Sequence, residues 1–374
     1  MKRRISNTGI GMLSVFLVCY ILYQGGSMLS HGFVEELFLP GLSYVTRQGT
    51  EKSWTTSYMT WISPLYAYMN DHTLRPADVE DKLTYEMILA QQAKDEERMS
   101  EDLQEIKGDS VETVGQTVAG KDALLSKLQD YNYLLSQFYT VDSTTTVAQG
   151  QLNVNDFMSR DMHIDRSKKG PKVLIFHTHS QEDFVDSTAG DTNTTIVGIG
   201  RYLAEQLNAK GIETLHHDGV YDLIDGQLDR SKAYEMAEKG VKKILNQNPS
   251  IEVVIDLHRD GVPETTHLVT TVDGKQTAKF MFFNGLSRTK TNGDIAYLKN
   301  PYIQDNLAFS FQMQLETESM YPGLARRIYL KGYRYSLHMM PKSLLIEAGA
   351  QTNSVGEMKN SMELLANILV EVLL

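Results

Sequence analysis

Cysteine is nearly missing from this 374-residue chain: Cys19 stands alone, which excludes an internal disulfide and a zinc site built on thiolates. Any metal chemistry must then come from His, Asp, Glu or Asn. The chain also lacks GxGxxG, GxxxxGK(S/T) and GxSxG, so dinucleotide-binding, P-loop and α/β-hydrolase readings lose their usual supports. Internal repeats are absent as well. Charged side chains are missing from Ile5 to Val34, and alanine does not occur before Ala67.

The last two absences belong together. Lys2-Arg3-Arg4 precedes the uncharged stretch, whose most apolar part, residues 9–23, carries Leu13, Val15, Phe16, Leu17, Val18, Ile21 and Leu22. A helix needs about 20 mostly apolar residues to cross a bilayer core, and residues 8–30 supply them. A cleaved signal peptide would end in small residues of the Ala-x-Ala kind, which this segment does not offer. The expectation is a retained single-pass anchor, with residues 1–7 cytoplasmic because the positive flank precedes the span, and the rest outside. Without Lys2, Arg3 and Arg4 the 36 basic residues become 33 against 47 acidic ones, a net of −14. Nucleic acid and anionic membrane surfaces repel such a body, so no nucleic-acid partner is expected. The 41% hydrophobic content suits a folded globular protein.

Two regions are expected beyond the anchor. Residues 31–168 read as a membrane-proximal helical region and linker. Within it Leu124, Leu128, Tyr131, Leu135 and Phe138 recur at helical spacing on one face, and residues 80–106 are helix-like but heavily charged. From 169 to 374, strand and helix signals alternate. Strands are expected at 173–176, 212–215, 251–257 and 344–346, and helices at 194–207, 231–246, 306–318 and 354–374. Asp273-Gly274, between segments 267–272 and 275–283, signals a hairpin. This alternation predicts an α/β domain, a mostly parallel, twisted sheet with helices on both faces.

Three of the apolar runs end in a ligand or a base: Val173-Leu174-Ile175-Phe176-His177-Thr178-His179-Ser180-Gln181-Glu182, Val253-Val254-Ile255-Asp256-Leu257-His258, and Leu344-Leu345-Ile346-Glu347. The carboxyl ends of strands are where open parallel sheets bind ligands. His179 and Glu182 lie within one turn and can chelate a single ion, with His258 as third ligand from a neighbouring strand. Two imidazoles and a carboxylate leave Zn²⁺ one open position. His177 shares a face with His179 if the strand continues; one is then the ligand and the other a neighbour or substrate contact, with His179 favoured. A carboxylate such as Glu347 at a buried strand end is costly unless it is paired or near a cation. Near an ion it can take a proton from attacking water and pass it to a departing amine. His31, His72, His163, His216 and His217 have no supporting context, while His267 and His338 could line a cleft.

Together with Asp130-Tyr131-Asn132-Tyr133-Leu134-Leu135, Met281-Phe282-Phe283-Asn284-Gly285, Asn306-Leu307-Ala308-Phe309-Ser310 and Ile346-Glu347-Ala348-Gly349-Ala350-Gln351-Thr352-Asn353, these segments resemble the stage II sporulation protein P family. The resemblance implies a zinc-dependent N-acetylmuramoyl-L-alanine amidase of the amidase-3 type, with a phosphorylase/hydrolase-like fold and an attributed endopeptidase activity. It implies peptidoglycan as substrate during forespore engulfment, on the mother-cell side of the sporulation septum. Sporulation proteins D, a lytic transglycosylase, and M are the implied partners. His179, a glutamate and His258 would bind zinc, and Glu347 would be catalytic.

One departure stands out. Asn193 occupies the position where the family's ligand glutamate usually opens the helix after the first strand. Either Glu182 replaces it, or Asn193 binds weakly or through water; Glu182 is preferred because a carboxylate offsets the ion's charge better than a neutral amide does. Arg259 and Arg334 are candidates for holding stem-peptide carboxylates, with Arg326, Arg327 and Lys331 adding to a local basic cluster. Two rival readings are a zinc peptidase confined to peptide cross-links and a non-catalytic wall-binding scaffold, the latter supported mainly by Asn193.

Overall fold

The computed structural model describes residues 124–374, apart from 149, 225, 231 and 292. The expected cytoplasmic tail, the anchor at 8–30 and the charged stretch at 80–106 lie outside the described residues. Among the described residues no helix is long and apolar enough to cross a membrane.

The first half contains α1 (Tyr131–Phe138), β1 (Tyr139–Val141), α2 (Val154–Ser159), β2 (Val173–Phe176), α3 (Ile196–Ala209), β3 (Thr214–His216), β4 (Leu223–Ile224), β5 (Gln227–Leu228) and α4 (Ala233–Gln247). The second contains β6 (Val253–Asp260), β7 (Val269–Val272), β8 (Lys275–Ala278), β9 (Phe280–Gly285), β10 (Arg288–Thr289), β11 (Gly293–Asp294), α5 (Ile303–Met320), β12 (Ile328–Lys331), β13 (Lys342–Ala350) and α6 (Val355–Leu373). Seven strands form one sheet in the order β1-β12-β9-β13-β6-β2-β3. Every neighbouring pair is parallel except β9 with β13. The sheet is therefore mostly parallel, as its unbroken apolar runs suggest, with one antiparallel seam. Asp273 and Gly274 take positive φ values of 47° and 76° and turn β7 into β8, the mirror-image turn that two-residue hairpins favour.

Burial explains the continuous runs. Val173, Leu174, Ile175 and Phe176 are fully buried, as are Val253, Ile255 and Leu257, because helices cover both faces. On one face α3, α5 and α6 pack onto Val173, Ile175, Val253, Ile255, Leu257, Leu344 and Ile346. On the other, Ala233, Ala237 and Val241 of α4 cover Leu174, Phe176 and Val254. Alternation along β6 puts Asp256 and His258 on the α4 face, and register puts Glu347 of β13 directly beside His258. The second face thus changes from apolar to polar at the carboxyl ends of the central strands.

The described part of the expected linker belongs to this same body. β1 is an edge strand of the sheet, paired with β12, and Leu128, Leu134, Phe138 and Phe157 join the main core. A start at 169 is therefore too late for the sheet. Arg166-Ser167-Lys168-Lys169-Gly170-Pro171 is a loop inside the fold, with Gly170 at φ 101°. The single helical face expected over 124–138 is also interrupted. Asp130 accepts the Tyr133 N–H at 2.8 Å and caps α1 afresh, so Tyr131 is left 41% exposed and Leu134 takes the buried place. At the other end Ser354 and Glu357 form a reciprocal capping box that starts α6.

Candidate metal centre

β2 ends at Phe176, and the chain then turns across the end of β6. Two buried carboxylates hold that turn. Asp256 accepts the Thr178 N–H at 2.9 Å and its Oγ1 at 2.6 Å. Asp222, fully buried, accepts Ser180 Oγ at 2.7 Å and the Gln181 N–H at 3.1 Å. His179 is carried between these anchors, and Glu182 follows them. Glu182 Oε2 accepts the Arg259 N–H at 2.8 Å. Its Oε1 lies 3.6 Å from His179 Nδ1 and 3.6 Å from the Arg230 guanidinium.

His179, Glu182 and His258 each offer one ligand atom, and the three atoms lie within 4.8 Å of one another. All three residues are buried, and among the described residues this is the only group of its kind. The ring centroids of His179 and His258 are 5.0 Å apart. Zinc binds such donors at about 2.0–2.2 Å, so its ligands lie at most about 4.4 Å apart; the observed spread is of that scale. Two imidazoles and one carboxylate, shielded from water, are a donor set that zinc accepts with a position to spare. Glu347, 3% exposed, stands next to His258 across the β6–β13 pairing.

The charges suit a cation. Burial works to raise the Glu182 pKa, but His179, His258 and Arg259 overcome it and hold the carboxyl well below the usual range. Burial likewise opposes a charge on His258, yet Asp256 and Glu182 beside it raise its pKa above the ordinary value. Asp256 stays ionised despite burial because His258, Ser336 and Thr178 favour its charged form.

His177 is placed elsewhere. The strand stops before it, so the alternation that would align it with His179 no longer applies. Its Nδ1 donates to the Leu257 carbonyl at 2.7 Å, and its Nε2 then accepts from His216 Nε2 at 3.0 Å. Burial pushes the His177 pKa down to about 4 and that of His216 to about 3, which keeps both rings neutral at physiological pH. Asn193 is exposed; it donates to Asp191 and accepts from Arg201.

The arginines named as substrate contacts are already engaged. Arg259 lends its backbone to Glu182, while its side chain donates to the Asp183 carbonyl at 2.7 Å. Arg334 pairs with Glu238 of α4 at 3.2 Å. Arg326 pairs with Asp260 at 2.5 Å and Lys331 lies 3.9 Å from Asp142, so Arg326, Lys331 and Arg334 of the expected basic cluster each face a different acidic partner. His338 lies 3.2 Å from Glu238 and His267 2.9 Å from Glu357. The sequence reading missed Asp222, Asp256, Arg230, Ser336 and Tyr234 as parts of the site. Asp256 carried a usable signal, since a carboxylate inside Val253-Val254-Ile255 and Leu257 needs partners; the others come from loops and helices with no local pattern.

A family model described as Stage II sporulation protein P matches residues 63–370. Among curated proteins, Stage II sporulation protein P of Bacillus subtilis (strain 168) is 22% identical over 248 residues, covering 59% of this chain and 58% of that protein. The match thus spans less than two thirds of that relative's length. Among solved structures, the CwlD amidase from Clostridioides difficile in complex with the GerS lipoprotein is 15% identical, covering 54% of this chain and 99% of that one with a TM-score of 0.33. The N-acetylmuramoyl-L-alanine amidase AmiC2 of Nostoc punctiforme is 15% identical over 55% and 98% of the two chains, with a TM-score of 0.31.

Proposed function

The chain belongs to the stage II sporulation protein P family, and from that membership we propose that it is a zinc-dependent N-acetylmuramoyl-L-alanine amidase acting on peptidoglycan during sporulation and engulfment. The observation that carries this reading is the convergence of His179, Glu182 and His258 within 4.8 Å, with Glu347 in register beside His258. Zinc at these residues would supply Lewis acidity, polarising the amide carbonyl and making water easier to deprotonate.

The chain's own residues do the rest. Ionised Glu182 offsets part of the metal charge, and both imidazoles must be neutral to bind, so His258 gives up a proton that Asp256 otherwise favours. Glu347 takes a proton from the attacking water as the new C–O bond forms. It returns that proton to the amine nitrogen as the C–N bond breaks, leaving a lactyl carboxylate and a free L-alanine amine. Endopeptidase activity on stem peptides, membrane anchoring through residues 8–30, placement on the mother-cell side of the septum and partnership with sporulation proteins D and M belong to the same proposal and rest on the family resemblance.

The test digests purified sacculi with the full chain, with and without a chelator, and identifies products by mass spectrometry. Intact stem peptides released from glycan support the amidase. Cuts confined to the peptides replace it with a cross-link peptidase, and no chelator-sensitive release leaves a wall-binding scaffold. Glu347→Gln should keep its zinc and lose at least about 100-fold in rate, the scale of a general base.

A further inference from the structure

Asp256 is 1% exposed and lies two residues before His258 on the same face of β6. A carboxylate at such a depth is costly unless its oxygens are occupied. Here they accept three hydrogen bonds: the Thr178 N–H at 2.9 Å, Thr178 Oγ1 at 2.6 Å and Ser336 Oγ at 2.6 Å. Oδ1 also lies 2.8 Å from Nε2 of His258. Its partners therefore come from three places: the turn immediately before His179, β6 itself, and the loop between β12 and β13.

That loop reaches Asp256 under strain. Tyr335, directly before Ser336, has φ 51°, a left-handed conformation that bulky side chains rarely adopt. Its ring is buried 4.7 Å from Phe283 and 5.5 Å from Tyr234. Gly285 leaves the space, since a Cβ there would fall 2.0 Å from the Tyr333 carbonyl oxygen and 2.9 Å from the Tyr335 ring. Tyr234 in turn packs 5.6 Å from the His179 ring and 6.5 Å from that of His258. A strained backbone persists when its surroundings over-determine it, and it tends to sit at functional sites.

Resting on the metal reading of the site, we propose that Asp256 is the positioning residue for both imidazoles, holding His258 directly and His179 through Thr178, with the 332–341 loop latched to it by Ser336. The carboxylate does not serve as a ligand. It orients the rings, as outer partners of metal-binding histidines do, and such partners commonly contribute 10–100-fold in affinity.

The experiment measures zinc dissociation constants on the full chain by competition with a chromophoric chelator, with circular dichroism to establish folding. Asp256→Asn and Ser336→Ala should each weaken zinc by about 10- to 100-fold, and Ser336→Thr, which keeps the hydroxyl, should recover most of the loss. With cobalt in place of zinc, the visible bands of Asp256→Asn should shift while one ion still binds per chain. Wild-type affinity in folded Asp256→Asn and Ser336→Ala, with unshifted cobalt bands, overturns the positioning role and leaves the zinc reading standing. If Asp256→Asn does not fold, the pair Ser336→Ala and Ser336→Thr decides by the same criterion. A wild-type chain that binds no zinc overturns both.

Discussion

His177 and His179 differ by two positions in sequence and by their whole environment in the fold. His177 faces α3, bonded to Leu257 and His216, while His179 faces His258 and Glu182. Residue type and strand position made both legible as candidates. Only the end of β2 at Phe176 separates them, and no sequence pattern marks where a four-residue strand stops. Glu182 was separable from Asn193 on charge alone, and the geometry places the carboxylate in the group and the amide on the surface. The expected outcome is that His179→Ala loses stoichiometric zinc, whereas His177→Ala and Asn193→Ala keep it, as metal analysis of purified proteins would show. His177→Ala should still cost about 2–4 kcal/mol in stability, because it opens a cavity and strips two buried hydrogen bonds. Loss of zinc from His177→Ala with His179→Ala unaffected would reverse the assignment.

At the level of elements, α3 shows how a helix position can be set by what lies beneath it. Gly200 sits where a Cβ would come 2.4 Å from His177 Nε2 and 3.1 Å from His216 Nε2. Glycine to alanine inside a helix ordinarily gains about 0.5–1 kcal/mol. Here Gly200→Ala should instead lose about 1–3 kcal/mol through overpacking, read as a lower midpoint in urea unfolding. The contact also explains why a glycine in an otherwise regular amphipathic pattern carried no meaning in the sequence: its partners lie just past the end of β2 and at the end of β3.

α4 is joined to the loop before β13 by charge. Glu238 lies 3.2 Å from both Arg334 and His338. Burial acts to raise its pKa, but His338, Lys242 and Arg334 bring it down to about 2, below the ordinary 4.5. A carboxyl depressed on folding stabilises fully above its unfolded pKa and loses that contribution as pH falls through the folded value. Discounted for partial exposure, the contribution is on the order of 1–2 kcal/mol. Glu238→Gln should therefore lose about that much at pH 6, and the gap from wild type should shrink steadily below about pH 4.5 in urea titrations. A gap independent of pH would remove the charge as its cause.

For the whole molecule, the central strands β2, β6 and β13 were legible because sheets buried on both faces require unbroken apolar runs, and α3, α4 and α6 because they carry 3.6-residue patterns; β12, four residues long inside the sheet, was not. The start of the domain was not. β1 has three residues, Tyr139–Val141, too few for any period to register, and it finds its partner in β12 nearly two hundred positions later. Phe138 at the end of α1 is 4% exposed, and its ring lies 5.5 Å from that of Phe311 in α5. Phe138→Ala should cost about 3–5 kcal/mol and lower the one unfolding transition of the domain. A separate early transition with the main one unmoved would mean that the segment before 169 is an independent unit after all.

The most direct measurement is X-ray absorption at the zinc edge on the full chain, after metal-free protein takes up one equivalent of zinc. The expected result is one tightly held ion with two imidazoles and a carboxylate in its first shell, lost in the His179→Ala, His258→Ala double variant. An ion retained by that double variant, or none bound by the wild-type chain, would contradict a metal centre at His179, Glu182 and His258.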